Sequence, residues 1–268
     1  MNQVFNIISK FNKNSGVFCN SNLNANLSHI LPFIVWITLM VWVDNPVWSY
    51  NLRTFLSILI LFILKPWKYY KSFQLKFLPI SIITGIAVFF IWIFFEMPWT
   101  ISNFPYLSEW YDRIFIDFTQ PFNTRELYTN LNNTMVPYVT IDTGKFQGYH
   151  HYNPIVTGWI NFTIHMIGSC IVIALIEEFF YRSFIYRWMQ GSPFQNIIVK
   201  KINWGLLIII SVFFSISHVE WGVAIICGII FGLLYIKTNN IWSSIIAHGI
   251  TNFLLGLYVI KFDAYQFW

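Results

Sequence analysis

Charge is what this sequence has least of. Lysine and arginine number 16 and aspartate and glutamate 11, so charged residues make up 10% of the chain, against roughly a quarter in a soluble domain. Beside 56% hydrophobic and 21% aromatic residues, that deficit excludes an ordinary water-soluble fold and leaves a polytopic membrane protein. Cysteine is scarce as well. Cys19, Cys170 and Cys227 have neither the close spacing of a thiolate metal site nor a paired framework, and they read as small buried residues. The soluble zinc-protease pattern His-Glu-x-x-His is missing. No basic stripe beside a soluble fold points to nucleic acid. The polar lead, residues 1–26, lacks the apolar core and small-residue cleavage site of a secretory signal. No internal repeat or pair of broken apolar helices is visible, which counts against a proton-coupled transporter.

What is present is a series of apolar runs long enough to cross a hydrocarbon core of about 30 Å, which takes about 20 residues. The chain has room for about seven or eight such spans and one sizeable loop, so the expected fold is an all-α polytopic bundle. It divides into a polar segment, 1–26; three spans within 27–95; an acid-leaning loop, 96–157; and an apolar final part, 158–260. Four spans are expected in that final part, over 158–189, 202–218, 221–236 and 241–260. Lys10 and Lys13, the connector with Lys65, Lys68, Lys71 and Lys76, then Arg187, Lys200, Lys201 and Lys237 fall at one set of span ends. The positive-inside rule then puts the N-terminus in the cytoplasm. Residues 106–118 read as an amphipathic helix on the membrane surface, with Trp110, Ile114 and Phe118 at helical spacing. The whole loop is a candidate lid or substrate entry. Arg53, near the start of the second span, reads as snorkelling to the interface.

The chemistry concentrates in the final part. Residues 176–184, IEEFFYRSF, set Glu177 and Glu178 in an apolar run, where one acid at mid-bilayer costs about 2.5 to 3.5 kcal/mol. At 100° per residue Arg182 stacks on Glu178 and neutralises it, while Glu177 lies a step round the helix and stays freer. Phe214-Ser-Ile-Ser-His218 ends the fifth span, and His248-Gly-Ile-Thr-Asn252 puts two polar groups on one face of the last. Measured from their expected cytoplasmic ends, Glu177, His218 and His248 lie about 18, 24 and 10 Å along their helices. A shared site therefore requires tilt, or a fifth span that starts deeper. The plainer alternative is that these groups are interhelical contacts that hold a bundle together. That reading suits His29 and His165, while His150 and His151 read as surface residues and Glu220 as facing the interface.

Glu-Glu-x-x-x-Arg, Phe-x-x-x-His and His-x-x-x-Asn, in that order on successive apolar helices, resemble the CPBP intramembrane proteases. That family includes the type II CAAX prenyl endopeptidases and the bacterial Abi-like membrane proteins. Every motif residue is present: Glu177, Glu178, Arg182, Phe214, His218, His248 and Asn252. The texture of the first and last motifs is also similar to the CAAX-protease-related branch linked to exosortase systems. The resemblance implies hydrolysis of a peptide bond in a membrane-anchored protein or peptide. Glu177 would be the general base, His218 would hold the water, and His248 and Asn252 would stabilise the oxyanion. Glu178, Arg182 and Phe214 would support them. No cofactor is favoured. The alternative is a zinc enzyme, with Glu177, His218 and His248 as ligands. A non-catalytic immunity or scaffold protein of the same fold is the other reading. The Ile-, Asn- and Phe-rich composition suggests a bacterial cell membrane.

Overall fold

A computed structural model describes residues 23–115, 152–199 and 201–268. The N-terminal lysines, Cys19, the loop acids Asp117, Glu126 and Asp142, Phe118, the pair His150 and His151, and Lys200 lie outside the described residues.

Helix α1 (Leu23–Trp42) begins inside the stretch read as a polar lead, and α2 (Pro46–Leu64) follows within a few residues. Asn45 caps α2 by accepting the Trp48 N–H, and Pro46 sits at the first helical position, where its missing N–H is no loss. α3 (Leu78–Ile93) leads into the short α4 (Pro98–Asn103) and α5 (Pro105–Phe115). After a single turn over Pro154–Thr157, Gly158 takes φ 88°, a conformation open to glycine, and starts α6 (Trp159–Trp188). α7 (Trp204–Ser215), α8 (Trp221–Thr238) and α9 (Ile241–Phe262) complete the chain.

Six helices, α1, α2, α3 with its leading turn, α6, α8 and α9, are long and apolar enough to cross a membrane. α7 has 12 residues, about 18 Å of helix, and falls short of the core thickness. Among the described residues there is no strand. Large apolar side chains such as Phe55, Phe62, Ile83 and Ile160 point outward, as lipid contact requires and water would not tolerate in such number. The chain is an integral membrane protein built as a helical bundle.

α9 is the helix the others close on. A Cβ on Gly85 of α3 would stand 2.6 Å from the Ala247 carbonyl oxygen, and one on Gly249 would stand 2.6 Å from the Cys170 carbonyl oxygen of α6. Two glycines therefore let three backbones approach, which is how packing replaces the hydrophobic effect in lipid.

Two expectations change, for Arg53 and for Glu220. Arg53 is buried instead of snorkelling, with its guanidinium 4.8 Å from the Trp36 ring and 4.5 Å from the Tyr50 ring. On α5, Ser108, Tyr111 and Phe115 pack inward, while Trp110 and Ile114 face outward, on the side left for a membrane surface. Glu220 is buried, and its Oε2 accepts the Tyr111 hydroxyl at 3.1 Å. The Tyr111 oxygen in turn accepts the Val223 N–H. Burial, with the carboxylate beside it, pushes the Tyr111 phenol well above its usual range.

Candidate functional site

α6 is not α-helical throughout. Gly168–Ile173 and Glu178–Ile185 are π-helical, and the Tyr186 N–H reaches back to the Tyr181 carbonyl. Such wide turns inside an α-helix recur at functional sites, because they re-aim side chains. The uniform 100° step therefore does not hold on either side of Glu177.

Glu178 is fully buried. Its Oε2 lies 3.3 Å from Arg182 Nε, an ion pair short of hydrogen-bond geometry, and its Oε1 lies 3.1 Å from His248 Nδ1. The Arg182 guanidinium spreads over the Phe214 ring at 4.3 Å and reaches the Gly228 carbonyl at 3.4 Å. Glu177 takes neither partner. Its Oε2 stands 3.9 Å from His248 Nε2, outside hydrogen-bond distance. His248 thus lies between the two glutamates, held by Glu178 on one ring nitrogen and facing Glu177 with the other, and it is stacked on Phe231 at 5.0 Å.

His218 follows the end of α7, in the turn toward α8. Its Nδ1 donates to the Phe214 carbonyl at 2.9 Å, and since a carbonyl can only accept, Nε2 keeps its lone pair when the ring is neutral. Trp92 of α3 meets the ring edge-on at 5.5 Å. Asn252 donates one N–H to the Ser169 carbonyl in the first π segment at 2.8 Å and has a second N–H left.

One cavity of about 180 Å³ joins these groups. Glu177, His218, His248 and Asn252 line it, with Phe214, Trp92, Ser169, Thr251 and Trp268. Glu178 and Arg182 stand behind its wall. The volume holds several waters, since about one probe sphere suffices for one. The short α7 explains how the unequal depths meet: the helix ends at Ser215, and a turn, not more helix, carries His218.

Sequence reasoning missed Trp92, Ser169 and Thr251, whose residue types carry no signal in an apolar run. His165 also lines the cavity, stacked between Tyr50 at 4.0 Å and Trp268 at 4.3 Å. His29 lies elsewhere, bonded through Nε2 to the Tyr70 hydroxyl, which also bonds Ser183. Among the described residues no three His, Cys, Asp or Glu side chains are grouped so as to hold a metal ion. Glu177, His218 and His248 do not fit a three-ligand zinc site as they stand.

Fold and site together define a membrane protein with a largely apolar cavity inside its helical bundle into which one acid, two histidines and an asparagine project. Residues 159–254 match the family model described as type II CAAX prenyl endopeptidase Rce1-like. The match covers 96 of the 268 residues, and over that stretch the final helical part is similar to the CAAX-protease family. No curated protein and no solved structure matches the chain.

Proposed function

We propose that the chain is an intramembrane endopeptidase acting on a membrane-anchored protein or peptide, by a glutamate mechanism that needs no metal. Glu177 takes a proton from a water held against His218 Nε2, and the resulting hydroxide adds to the scissile carbonyl. His248 and the second Asn252 N–H donate to the oxyanion, where preorganised donors in a dry site count for most. Glu177 then returns the proton to the leaving amine, the C–N bond breaks, and an acid and an amine are released. For His248 to donate from Nε2 while its Nδ1–H donates to the Glu178 carboxylate, both ring nitrogens must carry a proton, so the ring acts as the imidazolium. Glu178 holds the ring by its other nitrogen, so that Nε2 faces the cavity. Glu178, Arg182 and Phe214 position these groups.

The observation that carries this reading is the single cavity lined by Glu177, His218, His248 and Asn252 together. A bundle stabilised by polar contacts alone has no need to point four such groups into one open space. Because a prenyl group requires a prenylating partner, a membrane-anchored or sorted bacterial peptide is the favoured substrate, in an inner membrane with the N-terminus in the cytoplasm.

The test compares membrane peptides cut in cells that make the wild-type protein with those in cells that make Glu177→Ala at equal membrane level. Cleavage sites present only with wild type are expected. Cleavage at the wild-type rate by the folded Glu177→Ala protein would remove Glu177 from the chemistry.

A further inference from the structure

One end of the bundle is basic without opposition. Its connecting segments, 65–77, 189–203 and 238–241, contain no aspartate or glutamate and carry Lys65, Lys68, Lys71, Lys76 and Lys201, with Lys237 in the last turn of α8 beside them, all six exposed. The opposite end is mixed: Asp44, Glu96, Glu109, Asp112 and Asp263 stand there with Arg113 and Lys261.

The lysines are mounted on fixed backbone. The Trp242 indole N–H donates to the Lys71 carbonyl at 3.1 Å, and Asn240 Nδ2 donates to the Ser72 carbonyl at 3.2 Å. The Tyr70 hydroxyl is bonded to Ser183 of α6 and to His29 of α1. Arg187 holds the 189–203 segment through the Gln195 and Ile197 carbonyls, at 2.6 and 2.9 Å. Segment 65–77 is therefore a strap pinned across the ends of α1, α6 and α9. Two apolar side chains stand out from the same end, Leu75 at 75% and Ile198 at 65% exposure.

We propose that this end is a docking surface for the phosphate headgroups of anionic phospholipids, with the 65–77 strap as its principal element. The lysines sit where helices leave the hydrocarbon core, at the level of the headgroups, and clusters of this size beside spans attract anionic lipid. Leu75 and Ile198 are placed to dip below the headgroups beside them, as in interfacial segments. An acidic protein partner would leave those two apolar side chains without a role. The proposal stands apart from the peptidase reading.

The test is native mass spectrometry of the full chain released from nanodiscs of equal parts phosphatidylglycerol and phosphatidylcholine, counting retained lipids. Wild type is expected to retain phosphatidylglycerol about threefold or more over phosphatidylcholine. Assembly in about 0.5 M NaCl, where the Debye length is only a few ångströms, is expected to remove the preference. The combined Lys65→Gln, Lys68→Gln, Lys71→Gln and Lys76→Gln protein is expected to lose it, arginine at the same four positions to keep it, and Lys261→Gln at the other end to leave it unchanged. Single glutamine variants, each lowering the ratio in part, carry the test if the fourfold protein does not fold. No preference in wild type, or full preference in the fourfold variant, overturns the proposal. So does complete displacement by millimolar inorganic phosphate, which would mark a free-phosphate site, or retention of an acidic protein in place of lipid.

Discussion

A carboxylate buried as completely as Glu178 survives in an apolar bundle only with partners, and it has two: Arg182 on its own helix and His248 on another. Removing one partner strands the charge. Arg182→Met is therefore expected to destabilise the protein by about 3 to 5 kcal/mol, read as a lowered midpoint of thermal unfolding in mild detergent. Arg182→Lys is expected to recover only part, because an ammonium does not reproduce the planar stack on Phe214 or the reach to Gly228. At Glu177 the expectation reverses: Glu177→Gln leaves stability near wild type but lowers turnover about 10²- to 10⁴-fold, the range for losing a general base. The pairing of Glu178 with Arg182 was legible at this scale, since i and i+4 are neighbours on any nearly helical path. The second partner, His248, was not, because 70 residues separate it from Glu178 and no local rule spans that distance.

Among elements, α9 and α5 make the sharpest claims. Gly249 precedes no turn; it is a glycine because the Cys170 carbonyl oxygen of α6 occupies the place of its Cβ, and a backbone atom cannot rotate away. Gly249→Ala is expected to push α9 off α6, lowering the unfolding midpoint and, by moving His248 and Asn252, turnover as well. Outside the spans, Tyr111→Phe withdraws a hydroxyl from the buried Glu220 carboxylate and from the Val223 N–H. A loss of about 1 to 3 kcal/mol is expected, again from thermal unfolding. The helix over 105–115 was legible, but its packed face was not. Counting apolar residues finds Trp110 and Ile114 on its outer side, whereas the inner side rests on a carboxylate and a backbone N–H that call for the Tyr111 hydroxyl. The π segments of α6 were equally out of sight. Side chains of one composition satisfy an α or a π turn alike, and the choice falls to what packs against them.

For the whole molecule, orientation is open to direct measurement. Alkaline phosphatase fused after Lys71 is expected to be inactive, and fused within 96–157 active, if the lysine-bearing end faces the cytoplasm. Turnover by purified protein is expected to persist in chelator. Its loss, restored by stoichiometric zinc, would replace the glutamate route with a metal one. By itself the sequence determined that the chain lies in a membrane, roughly where its spans fall, and that acids and histidines too costly to be incidental gather in the last four of them. Those conclusions rest on transfer free energy and helical pitch, which act residue by residue. Only the tertiary structure decided that α7 stops short so that a turn carries His218, that Glu178 reaches His248, and that Glu177, His218, His248 and Asn252 open onto one cavity. These are contacts between helices remote along the chain, and their geometry is set by how closely backbones can approach, not by what any single helix prefers.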